Sequence, residues 1–258
     1  MKTPVVIAAY NEAAFIGPTL RALDNKSCEP IVVANGCDDT TADIAREFGV
    51  SVIERSEQGK LPAIQEALRG LGERALGPVL FLDSDSQPRF PKLWAAAMQR
   101  GVDPDEVHVR AGSISYTGGS FLDDLGWTAK AQLDTFKALK SDVPRYCGAN
   151  MLTQMRHERV LGKILDLPHI WLGEDHAIGV TISDMGGRSH QTVDLRANVK
   201  TSSRFLPSVP HVLSVGADEA KEELGRRYQE RAAPGSMTYH SYVMRKKRAK
   251  RIPRSAAS

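Results

Sequence analysis

The chain has 258 residues, 41% of them apolar and 25% charged, the balance of a globular protein with room for one large domain or two small ones. No stretch approaches the roughly 20 apolar residues of a membrane span, and the opening "MKTPVVIAAYNEA" reaches Asn11 and Glu12 too early to read as a signal peptide. The net charge of +3 hides an asymmetry: residues 245–258, "RKKRAKRIPRSAAS", carry seven Lys or Arg and no acid, which leaves 27 basic against 31 acidic residues in a body that nothing marks as a nucleic-acid binder.

In chain order, "PVVIAA" (4–9) reads as a buried strand, and Ile16, Leu20 and Leu23 then recur at helical spacing. "PIVVA" (30–34) is a second strand, followed by the acidic, Thr-rich helix start "DDTTADIAREF". "VSVIE" (50–54) is a third, with Ile64, Leu68 and Leu71 marking the next amphipathic helix, and "PVLFL" (78–82) is the fourth. Strands that read as continuous apolar runs separated by helices predict a parallel sheet covered on both faces, with ligands at the carboxyl ends of the strands.

Beyond residue 101 the rhythm changes. A strand is expected at "EVHVRAG" and a helix over 121–141, and "RYCGANMLTQMRHERVL" reads as a turn feeding a helix. "LGEDHAIGVTI" is a loop entering another helix, "RSHQTVDL" a strand, and 217–231 a charged surface helix. Three widely spaced cysteines, Cys28, Cys37 and Cys147, fit a reduced, cytoplasmic protein better than a disulfide scaffold.

The chemistry gathers at the strand ends. Strand one ends "AAYNE", strand two "ANGCDD", the third helix begins after "EQGK", and strand four ends "DSD". In a parallel sheet these tips share one edge, where they offer Tyr10, Glu12, Asn35, Lys60 and the carboxylates Asp83 and Asp85. Two like charges one residue apart at the mouth of a buried strand repel each other and resist desolvation unless a cation lies between them. The set suits a nucleoside diphosphate: polar groups for base and ribose, a lysine for phosphate, and carboxylates for a hard divalent ion.

The motifs "VVIAAYNEAAFI", "IVVANGCDDTTADIA", "GKLPAIQEAL", "FLDSDSQP" and "WLGEDHAIG", in this order over residues 4 to about 185, resemble those of family 2 glycosyltransferases. The resemblance implies the GT-A fold: α/β, a Rossmann-like, mostly parallel sheet flanked by helices, with a smaller acceptor-side α+β region. It further implies a donor-binding segment 1–115, an acceptor-binding and catalytic segment 116–216, and a C-terminal helix and basic tail over 217–258. By the same analogy Ala8, Tyr10, Glu12, Asn35, Lys60, Asp83 and Ser84 line the nucleotide-sugar pocket. Asp85 and Asp83 hold Mn2+ or Mg2+, with His190 as a further ligand. Asp175 is the catalytic base with Glu174 beside it, and Gly148 and Trp171 face the acceptor. The family's usual acidic pair is replaced here by Ala34 and Asn35, and the Q-x-x-R-W motif of processive synthases is missing.

The expected activity is a metal-dependent, inverting, non-processive transfer from a nucleotide sugar, a UDP-sugar being favoured over a GDP-sugar. The acceptor is a carbohydrate, lipid-linked or small-molecule hydroxyl. Two alternatives stand beside it, a retaining enzyme of the same fold and a non-catalytic nucleotide-sugar-binding scaffold. The basic segment 245–254 adds an expectation of peripheral contact with the inner face of a membrane and none of nucleic-acid binding.

Overall fold

In β1 (Thr3–Ala9), Val5, Ile7 and Ala9 enter one apolar layer and Val6 the other, all essentially without exposure. A strand buried on both faces needs no polar alternation, which is why it reads as a continuous apolar run. The computed structural model describes residues 1–139, 149–204, 206–216, 219–220, 237–238 and 241.

The first half alternates strand and helix as expected. After β1 come α1 (Ala13–Arg21), β2 (Cys28–Asn35), α2 (Thr41–Glu47), β3 (Ser51–Arg55), α3 (Lys60–Leu71) and β4 (Pro78–Phe81). β1 pairs in parallel with β2 and β4, and β2 with β3. The short β5 (Ser86–Pro88) and α4 (Pro91–Gln99) follow, then β6 (His108–Ala111), β7 (Ile114–Thr117) and α5 (Phe121–Leu139). The remaining elements are β8 (Met151–Gln154), α6 (Glu158–Leu165), β9 (Ile170–Leu172), α7 (Glu174–Asp184), β10 (Arg188–Gln191), β11 (Val199–Ser202), α8 (Val209–Val215) and β12 (Met237–Thr238).

The main sheet runs β10-β6-β8-β4-β1-β2-β3. β8 lies antiparallel between β4 and β6, so the fold is α/β with a mostly parallel sheet. The segment read as a turn feeding a helix thus contains a central strand. Asn150, at its start, is fully buried. Its amide donates to the carbonyls of Ser113 (2.9 Å) and Ala197 (2.6 Å) and accepts the Trp94 indole N–H (3.1 Å). Segments 1–115 and 116–216 therefore share one sheet, since β8 and β10 come from the second. A smaller sheet, β5-β11-β7, stands beside the end of β4. The expected helix over 217–231 and the tail 245–254 lie outside the described residues. Among the described residues no helix is long and apolar enough to cross a membrane.

At the sheet edge the rings of His108 and His190 stack with centroids 5.4 Å apart. Glu106 lies 3.4 Å from His108, and Arg110 and Arg188 are close by. Burial lowers the proton affinity of both imidazoles, and the two arginines lower it further, while Glu106 opposes them. Their folded pKa values lie below the unfolded value near 6.5. The unfolded chain therefore binds more protons as pH falls through that value, and the pair's contribution to stability is lost on acidification. His190→Gln should consequently lose less melting temperature than the parent between pH 7.5 and 5.5. Parallel melting curves across that range would refute this assignment.

Candidate active site

The tips of β1 and β2 are locked together by small polar side chains. Asn11, with a left-handed φ of 52°, accepts the Asp38 N–H on its amide oxygen (3.0 Å) and does not cap α1. The N–H groups at the start of α1 are met from the next loop instead: Glu12 N–H by the Thr41 hydroxyl (2.8 Å), Ala13 N–H by Asp39 (3.0 Å). This supplies donors that a helix start leaves unpaired.

Asn35, at the end of β2, is buried with both ends of its amide engaged. It donates to the Ala9 carbonyl (2.7 Å) and accepts the Gly59 N–H (2.8 Å). In the structure it is a strut between the first two tips and the start of α3. Gly59 has φ +156°, and a Cβ there would meet His169 Nε2 at 2.5 Å, so only glycine fits. The turn it makes delivers Lys60 to the site.

Lys60 reaches both acidic motifs. Its ammonium is bonded to Asp83 and lies 3.0 Å from Glu174 Oε1. Burial would lower the Lys60 pKa, but Asp83 and Glu174 outweigh it and raise it well above the usual lysine value. Glu174 is raised, by burial first, with Lys60 opposing. For Asp175, burial acts upward, but bonds from the His176 ring and N–H (2.8 Å to the latter) hold the carboxyl below the ordinary range. Asp175 is therefore ionised at neutral pH and can accept a proton.

β4 ends in a tight turn in which the Ser86 N–H bonds the Asp83 carbonyl (3.0 Å) and the Thr19 hydroxyl bonds that of Ser84 (2.7 Å). This aims Asp83 toward Lys60 and Asp85 toward the small sheet, where the Thr201 hydroxyl stands 3.4 Å away. Asp85 is raised to about 6, by burial first and then by Asp83 and Glu12, against the opposing pull of Arg204 and Lys60.

Arg204, just after β11, is a site residue absent from the sequence reading. It is ion-paired with Glu12, lies 3.5 Å from Asp85 Oδ2, and stacks over the Phe15 ring at 4.0 Å. It stands 192 residues from Glu12, and no motif announces it. Even with Arg204 and Lys60 present, five carboxylates (Glu12, Asp83, Asp85, Glu174, Asp175) face two fixed cations, and Glu12 Oε2 is buried without a hydrogen-bond partner. The site is short of positive charge, and carboxylate oxygens are the donors a hard divalent ion takes.

Tyr10 stands part-exposed at the β1 tip and Ala8 in the strand below it. His190 stands at the far edge of the sheet against His108, and no cluster of three metal-ligating side chains forms among the described residues. Trp171 lies in β9, and Gly148 is outside the described residues.

The family model for Glycosyl transferase family 2 matches residues 5–160. The chain belongs to glycosyl transferase family 2. Among curated relatives of this family 2 chain, glycosyltransferase AglE of Haloferax volcanii is 31% identical over 146 residues, 51% of this chain and 44% of AglE. A dolichyl-phosphate hexose transferase of the same organism is 38% identical over 66 residues, 25% of this chain and 29% of that protein. The matches thus span less than half the length of either relative.

Solved structures share the GT-A fold. The mannosyltransferase PcManGT of Pyrobaculum calidifontis, in complex with GDP-Man and Mn2+, superposes with a TM-score of 0.53 at 20% identity, covering 80% of this chain and 57% of that one. TarS 1–349 of S. aureus gives 0.54 at 17% identity, covering 80% and 61%. Glucosyl-3-phosphoglycerate synthase of Mycobacterium tuberculosis, with Mn2+, UDP and phosphoglyceric acid, gives 0.50 at 21% identity, covering 74% and 67%.

Proposed function

We propose that this family 2 protein is a metal-dependent, inverting, non-processive glycosyltransferase that moves a sugar from a nucleoside-diphosphate donor, expected to be a UDP-sugar, to an acceptor hydroxyl. The observation that carries the reading is the convergence of two acidic motifs on one lysine: Lys60 joins Asp83 to Glu174, next to Asp175. The Mn2+ and nucleotides bound by PcManGT and by the synthase support the donor class. The named substrate of the dolichyl-phosphate relative supports a lipid-linked acceptor.

Asp85, with Asp83, would hold the divalent ion. When bound, it supplies positive charge against the departing diphosphate. Lys60 adds a fixed ammonium on the same side, and Asn35 keeps its loop in place through Gly59. Asp175 takes the proton from the acceptor hydroxyl as that oxygen bonds to the anomeric carbon and the bond to the diphosphate oxygen breaks. Tyr10, Glu12, Ala8 and Ser84 are assigned to the nucleotide-sugar pocket. The protein works in the cytoplasm, at the inner membrane face when its acceptor is lipid-linked.

The test is the melting temperature with UDP or GDP, each with and without Mn2+, followed by the anomeric configuration of the product. Manganese-dependent stabilisation by UDP is expected, with inversion at the anomeric carbon. GDP alone stabilising would reassign the base, retention would reassign Asp175, and no shift with either nucleotide would overturn the donor site.

A further inference from the structure

The longest helix among the described residues turns its apolar side outward. α5 has 19 residues, about 28 Å of helix. Phe121, Leu122, Leu125, Leu133 and Phe136 are 55–79% exposed. At 3.6 residues per turn these five, with the exposed Ala129, fall within an arc of about 120° that contains no charged residue. The packed side of α5 adjoins this arc: Thr135 is buried, Thr128 accepts the Tyr116 N–H (2.8 Å), and Gln132, at the border of the arc, donates to the Ile114 carbonyl (2.9 Å).

The acids at its start are spent internally. Asp124 takes the N–H groups of Gly118 and Gly119 (3.0 Å each), and Asp123 takes that of Val209 (2.6 Å) at the start of α8. α8, docked against α5 through Val209 and the Trp127 indole bond to the Pro207 carbonyl (2.9 Å), has an exposed leucine of its own, Leu213. A contiguous apolar face of this size marks an interaction site.

We propose that the outer face of α5 is a membrane-contact surface, lying in the plane of an anionic bilayer with its Phe and Leu side chains among the acyl chains. Charge selects this occupant over a second copy of the chain. An apolar face alone gives weak, reversible attachment, and a polybasic stretch is the usual second signal. The chain carries one in residues 245–254, all seven of whose charges are positive. Such a stretch is attracted to anionic headgroups and repels its like on another copy. The rest of the chain is mildly acidic, so the headgroups repel it elsewhere and favour contact through the uncharged face. This inference stands on the surface of α5 and does not depend on the transferase reading.

The test is flotation of the full chain with phosphatidylcholine vesicles, with and without 30% phosphatidylglycerol, beside Leu125→Asp/Leu133→Asp. The parent should float with the anionic vesicles, and the double variant should float at least tenfold less while its melting temperature is unchanged or higher. Equal flotation of the two proteins overturns the proposal. So does a concentration-dependent dimer, split by the variant, in a parent that does not float. Should the variant misfold, hydrogen exchange of the parent decides: α5 amides slow at least fivefold on anionic vesicles, or the proposal falls. Nucleotide stabilisation is measured without vesicles, so the two readings fail separately.

Discussion

Asp85→Asn should abolish the manganese-dependent rise in melting temperature that a nucleoside diphosphate is expected to produce in the parent. Ligand at 100 times its dissociation constant stabilises the fold by about 2.7 kcal/mol, and at this chain length each kcal/mol moves the melting temperature by about 2–4 °C. A shift of about 5–10 °C in the parent therefore vanishes in the variant. Without ligand the variant should melt no lower than the parent at pH 7.5. Asp85, raised to about 6 by burial and by Asp83 and Glu12, is ionised there at a cost that the neutral amide avoids. The sign follows from linkage: the raised carboxyl stabilises the fold more as pH falls below about 6, and the asparagine variant lacks that dependence. Arg204→Met acts in the opposite direction on the metal. With the guanidinium gone from beside Asp85, manganese alone should bind the nucleotide-free protein more tightly. Undiminished nucleotide-plus-manganese stabilisation in Asp85→Asn would remove this carboxylate from the proposed metal site.

The second large effect is on turnover. Asp175→Asn should transfer sugar about 10²–10⁴ times more slowly, the usual worth of a positioned base, and keep the full nucleotide-plus-manganese shift. Glu174→Gln is the informative neighbour. Glu174 is ion-paired with Lys60, so its loss should loosen the lysine and weaken donor binding more than it slows the chemical step. A variant pair with these effects exchanged, nucleotide binding lost in Asp175→Asn and turnover lost in Glu174→Gln, would transfer the base to Glu174.

How much of this was readable in the residues follows from burial. β1, β2 and β4 are covered on both faces, so apolar runs alone announced them. β8 is equally central, but its "MLTQ" buries two polar side chains: the Gln154 amide donates to the carbonyls of Asp103 (2.6 Å) and Glu106 (2.7 Å), and the Thr153 hydroxyl is buried without a hydrogen-bond partner. A buried strand that sets Met and Leu beside Thr and Gln shows neither an apolar run nor an alternation to detect. β5, β7 and β11 are three or four residues long and mostly polar, too short for any period. At the site, the strand ends brought Lys60, Asp83 and Asp85 into view because chain order places them on one edge, whereas Asp175 came into view only through the resemblance to family 2. Arg204 had no such signal, since its role comes from tertiary proximity to Glu12 and Asp85. Asn35 was visible as a polar tip, but that both ends of its amide are consumed by Ala9 and Gly59 is a fact of geometry.

The insertion of β8 between β4 and β6 has a consequence for how the chain is made. β4 is finished at Phe81, yet the strand that covers its free edge begins at Met151. Ribosomes add about 5–20 residues per second, so an emerging chain carries an uncovered strand of Val79, Leu80 and Phe81 for several seconds. Such an edge is a template for pairing with another nascent chain. Slowing translation while β4 has emerged and β8 has not should lengthen that interval and lower the soluble yield, whereas slowing it once β8 has left the ribosome should leave the yield unchanged.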